Sequence, residues 1–296
     1  MSSLRLRQLR EDDADDVARL FVEAWGDARR LGGDDIGQWF ANEALKPENL
    51  LVVVDEDDRV VGYFDVWEEG ESVDVDMAAP GLWDETLDLA ENRARAIGAK
   101  RVRMVVSDGH DLEDRIGKRG YRPLRASLTM AIEFGVEAPP EPVIPDGIEL
   151  RPYRHPEDER AVFEAVQEAF ADHWDFHPQS IENWREFTVK ARNFNPDLWL
   201  VARDGDEVAG ASLNYPERTD DPGYGWVGSL AVRPAWRRRG VGEALLRRSF
   251  AVLHARGWRN VRLSVDAENP TGATRLYERV GMRMLRQANT WECGFE

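Results

Sequence analysis

The sequence predicts an α/β chain that carries one strand-and-helix plan twice. Two observations predict it. Matched segments recur in the same order in the two halves, and β-rich runs alternate with apolar residues at helical spacing. Between the halves lies Val136-Glu-Ala-Pro-Pro-Glu-Pro-Val-Ile-Pro-Asp-Gly147, whose four prolines suit neither a helix nor a sheet interior.

The plan opens with a strand in each half. Leu4-Arg-Leu-Arg-Gln-Leu-Arg matches Ile148-Glu-Leu-Arg-Pro-Tyr-Arg, with Leu6 against Leu150 and Arg7 against Arg151. An acidic stretch and a helix follow. Val17, Phe21 and Trp25 recur at helical spacing in the first half, as Val162, Val166 and Phe170 do in the second. A hairpin comes next, Leu50 to Gly62 matching Leu198 to Gly210. Further on, Ala99-Lys-Arg-Val-Arg-Met-Val-Val matches Trp258-Arg-Asn-Val-Arg-Leu-Ser-Val. Each follows a glycine, Gly98 or Gly257, placed to end a helix. Arg119-Gly120-Tyr121 matches Val280-Gly281-Met282. The expected division is residues 1–135, a semi-rigid linker over 136–147, and residues 148–296.

Composition bounds the function. With 296 residues, the chain is long enough for about two domains. The net charge of −17 argues against nucleic acid as a partner and suits either a cationic acceptor such as an amine or simple solubility. No apolar run is long enough for a bilayer, so no membrane partner is expected. The N-terminus goes straight into charged sequence without a signal-peptide apolar region. The one cysteine, Cys293, has no partner for an internal disulfide, and no Cys/His cluster has metal-ligand spacing. The expectation is a cytoplasmic protein without a metal; the oligomeric state is left open.

The chemistry-bearing stretch is Leu230-Ala-Val-Arg-Pro-Ala-Trp-Arg237-Arg-Arg-Gly240-Val-Gly242. An apolar strand meets a proline, turns through Arg237, Arg238 and Arg239, and opens an amphipathic helix at Val241. The turn presents backbone N–H groups at a helix N-terminus, where a pyrophosphate is favoured. Gly240 and Gly242 let the main chain approach phosphates closely. The first half lacks this turn. Pro80 and Gly98 are 18 positions apart, whereas Pro234 and Gly257 are 23 apart. Asp84 and Glu85 lie where phosphates would sit, so the first half is predicted to hold no pyrophosphate.

A second motif follows the strand Val261–Val265: Asn269-Pro-Thr-Gly-Ala273-Thr-Arg-Leu-Tyr277, then Gly281-Met282. Asn269 reads as a helix N-cap with Pro270 at the first helical position. Ala273 and Tyr277, four residues apart, share a helix face.

Both motifs, in order, resemble the GNAT superfamily of N-acetyltransferases over residues 148–294. The whole chain resembles the tandem-GNAT arrangement of mycothiol synthase and its relatives. Arg237, Gly240 and Gly242 fill the family's Gln/Arg-x-x-Gly-x-Gly/Ala pattern. Asn269, Ala273, Tyr277 and Gly281 fill the later one, with Met282 in place of its aromatic. In the first half, Ile116 stands for Tyr277 and Asp108 for Asn269, as in a degenerate copy. The resemblance implies an α/β (α+β) fold of two tandem domains, each a mixed, mostly antiparallel sheet flanked by helices. It implies that the strand ending at Val232 splays from its parallel neighbour Val261–Val265. It also implies that acetyl-CoA lies in the gap, its amides meeting Leu230, Ala231 and Val232.

The implied reaction is amine attack on the thioester. The Val232 N–H faces the oxyanion, and Tyr277 assists the departing thiolate. Domains like mycothiol synthase often carry a carboxylate on the strand before the turn; here Tyr224–Val232 has none, and Trp226 sits near that place. Asp266, Glu268 and Glu217 are the candidate bases, none favoured. Acceptor contacts are expected from His173, Trp174, Phe176, His177 and Trp226, with a hydrophobic cluster under a loop as the competing reading for residues 169–187. A metal at His173, Asp175 and His177 is not expected. The acceptor reads as a small-molecule amine. Alternatives are a protein amino group, a non-catalytic acyl-CoA sensor, and an interaction scaffold.

Overall fold

Each half opens on the same knot. In the first, Arg7 of β1 (Arg5–Gln8) grips Asp13 through two hydrogen bonds of 2.6 and 2.8 Å, and Asp13 also accepts from the Arg10 N–H. In the second, Arg151 of β7 (Ile148–Pro152) grips Asp158 at 2.6 and 2.7 Å, and Asp158 accepts from the Arg154 N–H. Each bidentate pair, half-closed from solvent, fixes where the first strand turns into the first long helix. These helices are α1 (Ala14–Trp25) and α5 (Glu159–Phe170). They bury Val17, Phe21 and Trp25 in one case and Val162 and Val166 in the other, as their spacing predicts.

The computed structural model describes residues 4–29, 31–40, 42, 45–216 and 223–295. It divides into two compact units. The first contains residues up to Ser127 together with Arg286 onward, and the second runs from Leu128 to Leu285.

In the first unit a short helix, α2 (Gly33–Gly37), follows α1. The sheet then builds through β2 (Leu50–Val54), β3 (Val60–Glu69) and β4 (Ser72–Ala78). After α3 (Trp83–Ala96), β5 (Arg101–Ser107) joins, and α4 (Asp111–Lys118) leads into β6 (Arg122–Glu133). In the second unit, α6 (Ile181–Phe187) precedes β8 (Leu200–Asp204), β9 (Glu207–Pro216) and β10 (Gly225–Val232). Then come α7 (Val241–Ala255), β11 (Asn260–Asp266) and α8 (Ala273–Arg279), and β12 (Arg283–Gly294) starts here and continues in the first unit.

Pairing is mostly antiparallel, and in each unit one pair is parallel, β4 with β5 and β10 with β11. Both predicted hairpins form, β2 with β3 and β8 with β9. Helix ends repeat as well. Gly98, Gly120, Gly257 and Gly281 all take positive φ. The next N–H in each case bonds five residues back: Ala99 to Ala94, Tyr121 to Ile116, Trp258 to Leu253 and Met282 to Tyr277. The bonds that end α4 and α8 put Ile116 and Tyr277 at equivalent positions.

The partition differs from the sequence expectation in two stretches. Residues 286–295 go with the first unit, because Ala288–Gly294 pair antiparallel with Arg101–Ser107. Residues 128–147 go with the second. Met130 sits in its core, the Phe134 N–H donates to the Arg259 carbonyl at 2.7 Å, and the Phe134 ring packs on Phe250. The proline-rich stretch has no helix or strand, but it runs along α7. His254 bonds the Gly135 carbonyl at 3.1 Å, Arg248 meets Glu141 at 3.3 Å, and Pro145 abuts Gly240. It is packed chain rather than a free spacer. No local pattern announces either transfer, since both depend on which sheet edge a strand meets.

Deleting residues 286–296 should expose β5 as a sheet edge. Hydrogen exchange should then quicken at Val102–Val106 and stay slow in β8 and β9. Unchanged protection in β5 would contradict the strand assignment.

Candidate functional site

The site begins where β10 leaves β11. The two pair only at Gly225 with Val261 and Trp226 with Arg262, although β10 continues to Val232 and β11 to Asp266. The splay expected from sequence is present. A register shift between Val227 and Ser229 marks its start. Gly228 is at the shift, and a Cβ there would lie 2.7 Å from the Tyr215 ring. Gly210 on β9 is equally constrained, since its Cβ would come 2.5 Å from the Ala231 carbonyl oxygen.

Register decides which peptide groups face the gap. The Arg233 N–H donates to the Ala209 carbonyl at 3.0 Å, so Ala231 and Ser229, in step with it, spend their main-chain groups on β9. Leu230 and Val232, out of step, turn theirs toward β11, which has already diverged. This corrects one expectation: the Ala231 main-chain groups do not face the gap. The Val232 carbonyl is taken by Arg237 Nε at 3.2 Å.

The turn after β10 is shaped by two left-handed residues, Arg238 (φ 62) and Gly240 (φ 84). Gly240 is the N-cap of α7. The six main-chain N–H groups from Arg238 to Glu243 meet no acceptor among the described residues, while the flanking Arg237 and Ala244 N–H groups bond to Pro234 and Gly240. A helix start normally leaves four such groups, and alternating left-handed residues gather N–H groups into an anion-binding concavity. Val241 is buried and locks this start against Leu245 and Ile148, whereas Gly242 stays open: a Cβ there would lie 3.4 Å from Leu276 and 3.5 Å from Val232. That contact brings α8 to the end of β10, and Glu243 ties the helices by accepting from Arg279 at 3.0 Å.

The three arginines separate. The Arg237 guanidinium reaches back to α5, bonding the Ala169 carbonyl at 2.8 Å and pairing with Asp172, whose carboxyl it holds below the usual range. Arg239 approaches Asp204 at 3.4 Å, and Trp236 donates to the same carboxylate at 2.9 Å. Arg238 is exposed. Asp172 is a site residue that the sequence reading missed; nothing local links it to a residue 65 positions away.

Tyr277 lies in α8, buried at 6% exposure, with no partner for its hydroxyl among the described residues. Burial pushes its pKa up to about 12. Ala273 is half-buried on the same face. The helix starts at Ala273 with Gly272 as N-cap, so Asn269 is not the N-cap and Pro270 is not the first helical residue. Instead the Asn269 side chain accepts from the Thr271 N–H at 2.9 Å and closes a turn before the helix.

The acceptor-side expectations divide too. Trp184 is core, packed on Phe163 and Trp199 at 5.6 and 5.9 Å. Trp174 and His177 are exposed, while Phe176, Trp226 and His173 are half-buried. The His173 ring lies 4.6 Å from that of Phe170, and burial draws its pKa down. Asp266 and Glu268 cap the end of β11, where Asp266 accepts from the Glu268 N–H at 2.9 Å. Glu217 lies outside the described residues. Among those described, no group of three or more His, Cys, Asp or Glu residues is placed to hold a metal, and no helix is long and apolar enough to cross a membrane.

The first unit keeps the scaffold without the cradle. β4 pairs with β5 only over Ser72–Asp74 and then parts from it. At the start of α3, however, Asp84 pairs with Arg115 at 2.6 Å, and Arg119 bonds its carbonyl at 2.9 Å and Asp88 at 2.6 Å. Salt bridges line the crevice there.

The pattern of the GNAT acetyltransferase family matches residues 160–282. A GCN5-related N-acetyltransferase from Sphaerobacter thermophilus superposes with a TM-score of 0.77 at 31% identity, covering 98% of this chain and 95% of that one. The chain belongs to the GNAT family. It is thus an acyltransferase of two tandem GNAT-like domains, in a family that uses acyl-CoA donors. A mycothiol acetyltransferase from Rhodococcus opacus is 30% identical over 76% of each chain. Against others of that name the match spans about half of their length, 54% and 52% in two cases. A tandem GNAT protein from the clavulanic acid biosynthesis pathway shares the fold at 16% identity with a TM-score of 0.73, over 99% of this chain and 98% of that one.

Replacing Gly210 with alanine should force β9 from β10 and cost ~1–3 kcal/mol of stability. Urea denaturation measures this; an unshifted midpoint would show that the close approach at the Ala231 carbonyl is not real.

Proposed function

We propose that this GNAT protein transfers an acetyl group from acetyl-CoA to a primary amine of a small molecule, using the second unit alone for the donor. The observation that carries this reading is the run of six unaccepted N–H groups from Arg238 to Glu243 at the foot of the splayed strands. The residues fit the group. A pyrophosphate meets main-chain donors from Arg238, Arg239, Gly240, Val241 and Gly242 at the positive end of a 15-residue helix. The pantetheine amides take up the gap-facing groups of Leu230, while the Val232 N–H is kept for the reacting carbonyl. Ala273 leaves room along α8 beside Asn269. Arg237 serves by holding the turn to α5, and the crevice of the first unit, lined by carboxylates and their own ion pairs, takes no donor.

In the reaction the amine nitrogen attacks the thioester carbonyl, a C–N bond forms and the C–S bond breaks. The Val232 N–H stabilises the oxyanion. Tyr277, protonated across the physiological range, donates a hydrogen bond to the departing sulfur. Its pKa near 12 exceeds that of a thiol, ~8.5, so handing the proton over outright is uphill and stabilisation by the hydrogen bond is its role. The name carried by the mycothiol acetyltransferases supports a small acceptor, and the charge of −17 favours a cationic one. Trp226, Trp174, Phe176 and His177 supply its surroundings.

Calorimetry should show acetyl-CoA binding, and Gly240→Val should weaken it by at least ~10-fold, about 1.4 kcal/mol. Binding unaffected by that change, or no binding, would reject the cradle. Tyr277→Phe should lower kcat by roughly 10²-fold and leave donor affinity nearly unchanged; unaltered turnover removes Tyr277 from the chemistry. Thiol release across a panel of amines separates an enzyme from a sensor.

A further inference from the structure

Amine acetylation requires something to take the proton of an ammonium acceptor, and no carboxylate lies on β10. We propose that His173 is the general base, held in place by the Arg237–Asp172 pair. The inference rests on the acyltransfer reading and deepens it.

Three observations converge on this side chain. Its ring is half-buried and has no hydrogen-bond partner among the described residues, so both nitrogens remain available. It follows directly on Asp172, which Arg237 clamps while bonding the Ala169 and Val232 carbonyls, so the loop carrying it is fastened to the gap-side end of β10. The charged groups that act on it come from three elements: Asp172 on its own loop, Arg237 before α7, and Asp266 at the end of β11. The loop that carries His173 is thus tied to the end of β10, one lip of the splay. Burial, opposed by Asp172 and Asp266 and reinforced by Arg237, keeps the ring neutral near pH 7 and below. A base must be in that state.

The step balances. The ammonium gives one proton to the imidazole. The free amine forms the C–N bond, the C–S electron pair leaves with sulfur, and the second nitrogen proton ends on the thiol. The imidazolium returns its proton to solvent. Arg237 and Asp172 are positioning residues.

The test compares wild type with His173→Gln and His173→Ala over pH 5–9, using acetyl-CoA and the amine panel. In wild type, kcat should fall at acid pH with a midpoint below ~6.5, the ordinary imidazole value. His173→Gln should lose at least ~10²-fold in kcat and lose that acid limb, with donor affinity and Tm unchanged. Added imidazole should restore part of the rate to His173→Ala, which a purely structural role would not allow. If His173→Gln keeps both rate and acid limb, His173 is not the base and acyl transfer stands. If wild type binds acetyl-CoA but acetylates no amine, the acyltransfer reading falls and this role with it.

Discussion

The site depends on a sheet that fails to close. β10 and β11 share two rungs and then separate, leaving the main-chain groups of Leu230 and the N–H of Val232 turned toward a strand that has diverged. Buried peptide groups without partners are costly, so such a gap persists only when something holds the strands apart and something else occupies it. The register shift at Gly228 sets the separation, and the Tyr215 ring packed on that glycine supports it. A buried polar chain holds β9 to α7: Ser212 bonds Ser249 at 2.8 Å and Asn214 at 3.0 Å, and Asn214 donates to the Leu198 carbonyl. These contacts fix the helix against the sheet.

The two units show what separates a scaffold from a site. Both have the Arg–Asp knot, the hairpin, the parting parallel pair and the glycine-ended helices. They diverge at one turn. In the second unit the chain spends extra residues on left-handed conformations that leave N–H groups without acceptors. In the first, Asp84 and its arginines satisfy one another. Opposite charges that neutralise internally leave little field for a phosphate, whereas unaccepted N–H groups at a helix start leave a great deal.

Much was legible in advance because it is local. The repeat, the hairpins, the helix faces at Val162 and Val166, the glycine stops and the motif around Gly240 each depend on residues within a turn or two. The helix boundary at Ala273 was misread because Asn269 and Pro270 suit both a helix start and a side-chain-closed turn, and the choice between them is made by Gly272 in the left-handed region. Arg237 belongs to a local motif, while Asp172, which claims its guanidinium, comes from another helix end.

By itself the sequence determined the family and the doubled plan, and it singled out the glycine turn before α7, because glycine spacing and apolar periodicity act through short-range backbone sterics and burial. Only the tertiary structure decided which peptide groups face the gap, that Arg237 braces a loop, that residues 286–295 complete the first unit, and that His173 stands unpartnered among three charges. Each of these is a meeting of residues far apart in the chain, settled by strand register and helix packing rather than by anything written at the position itself.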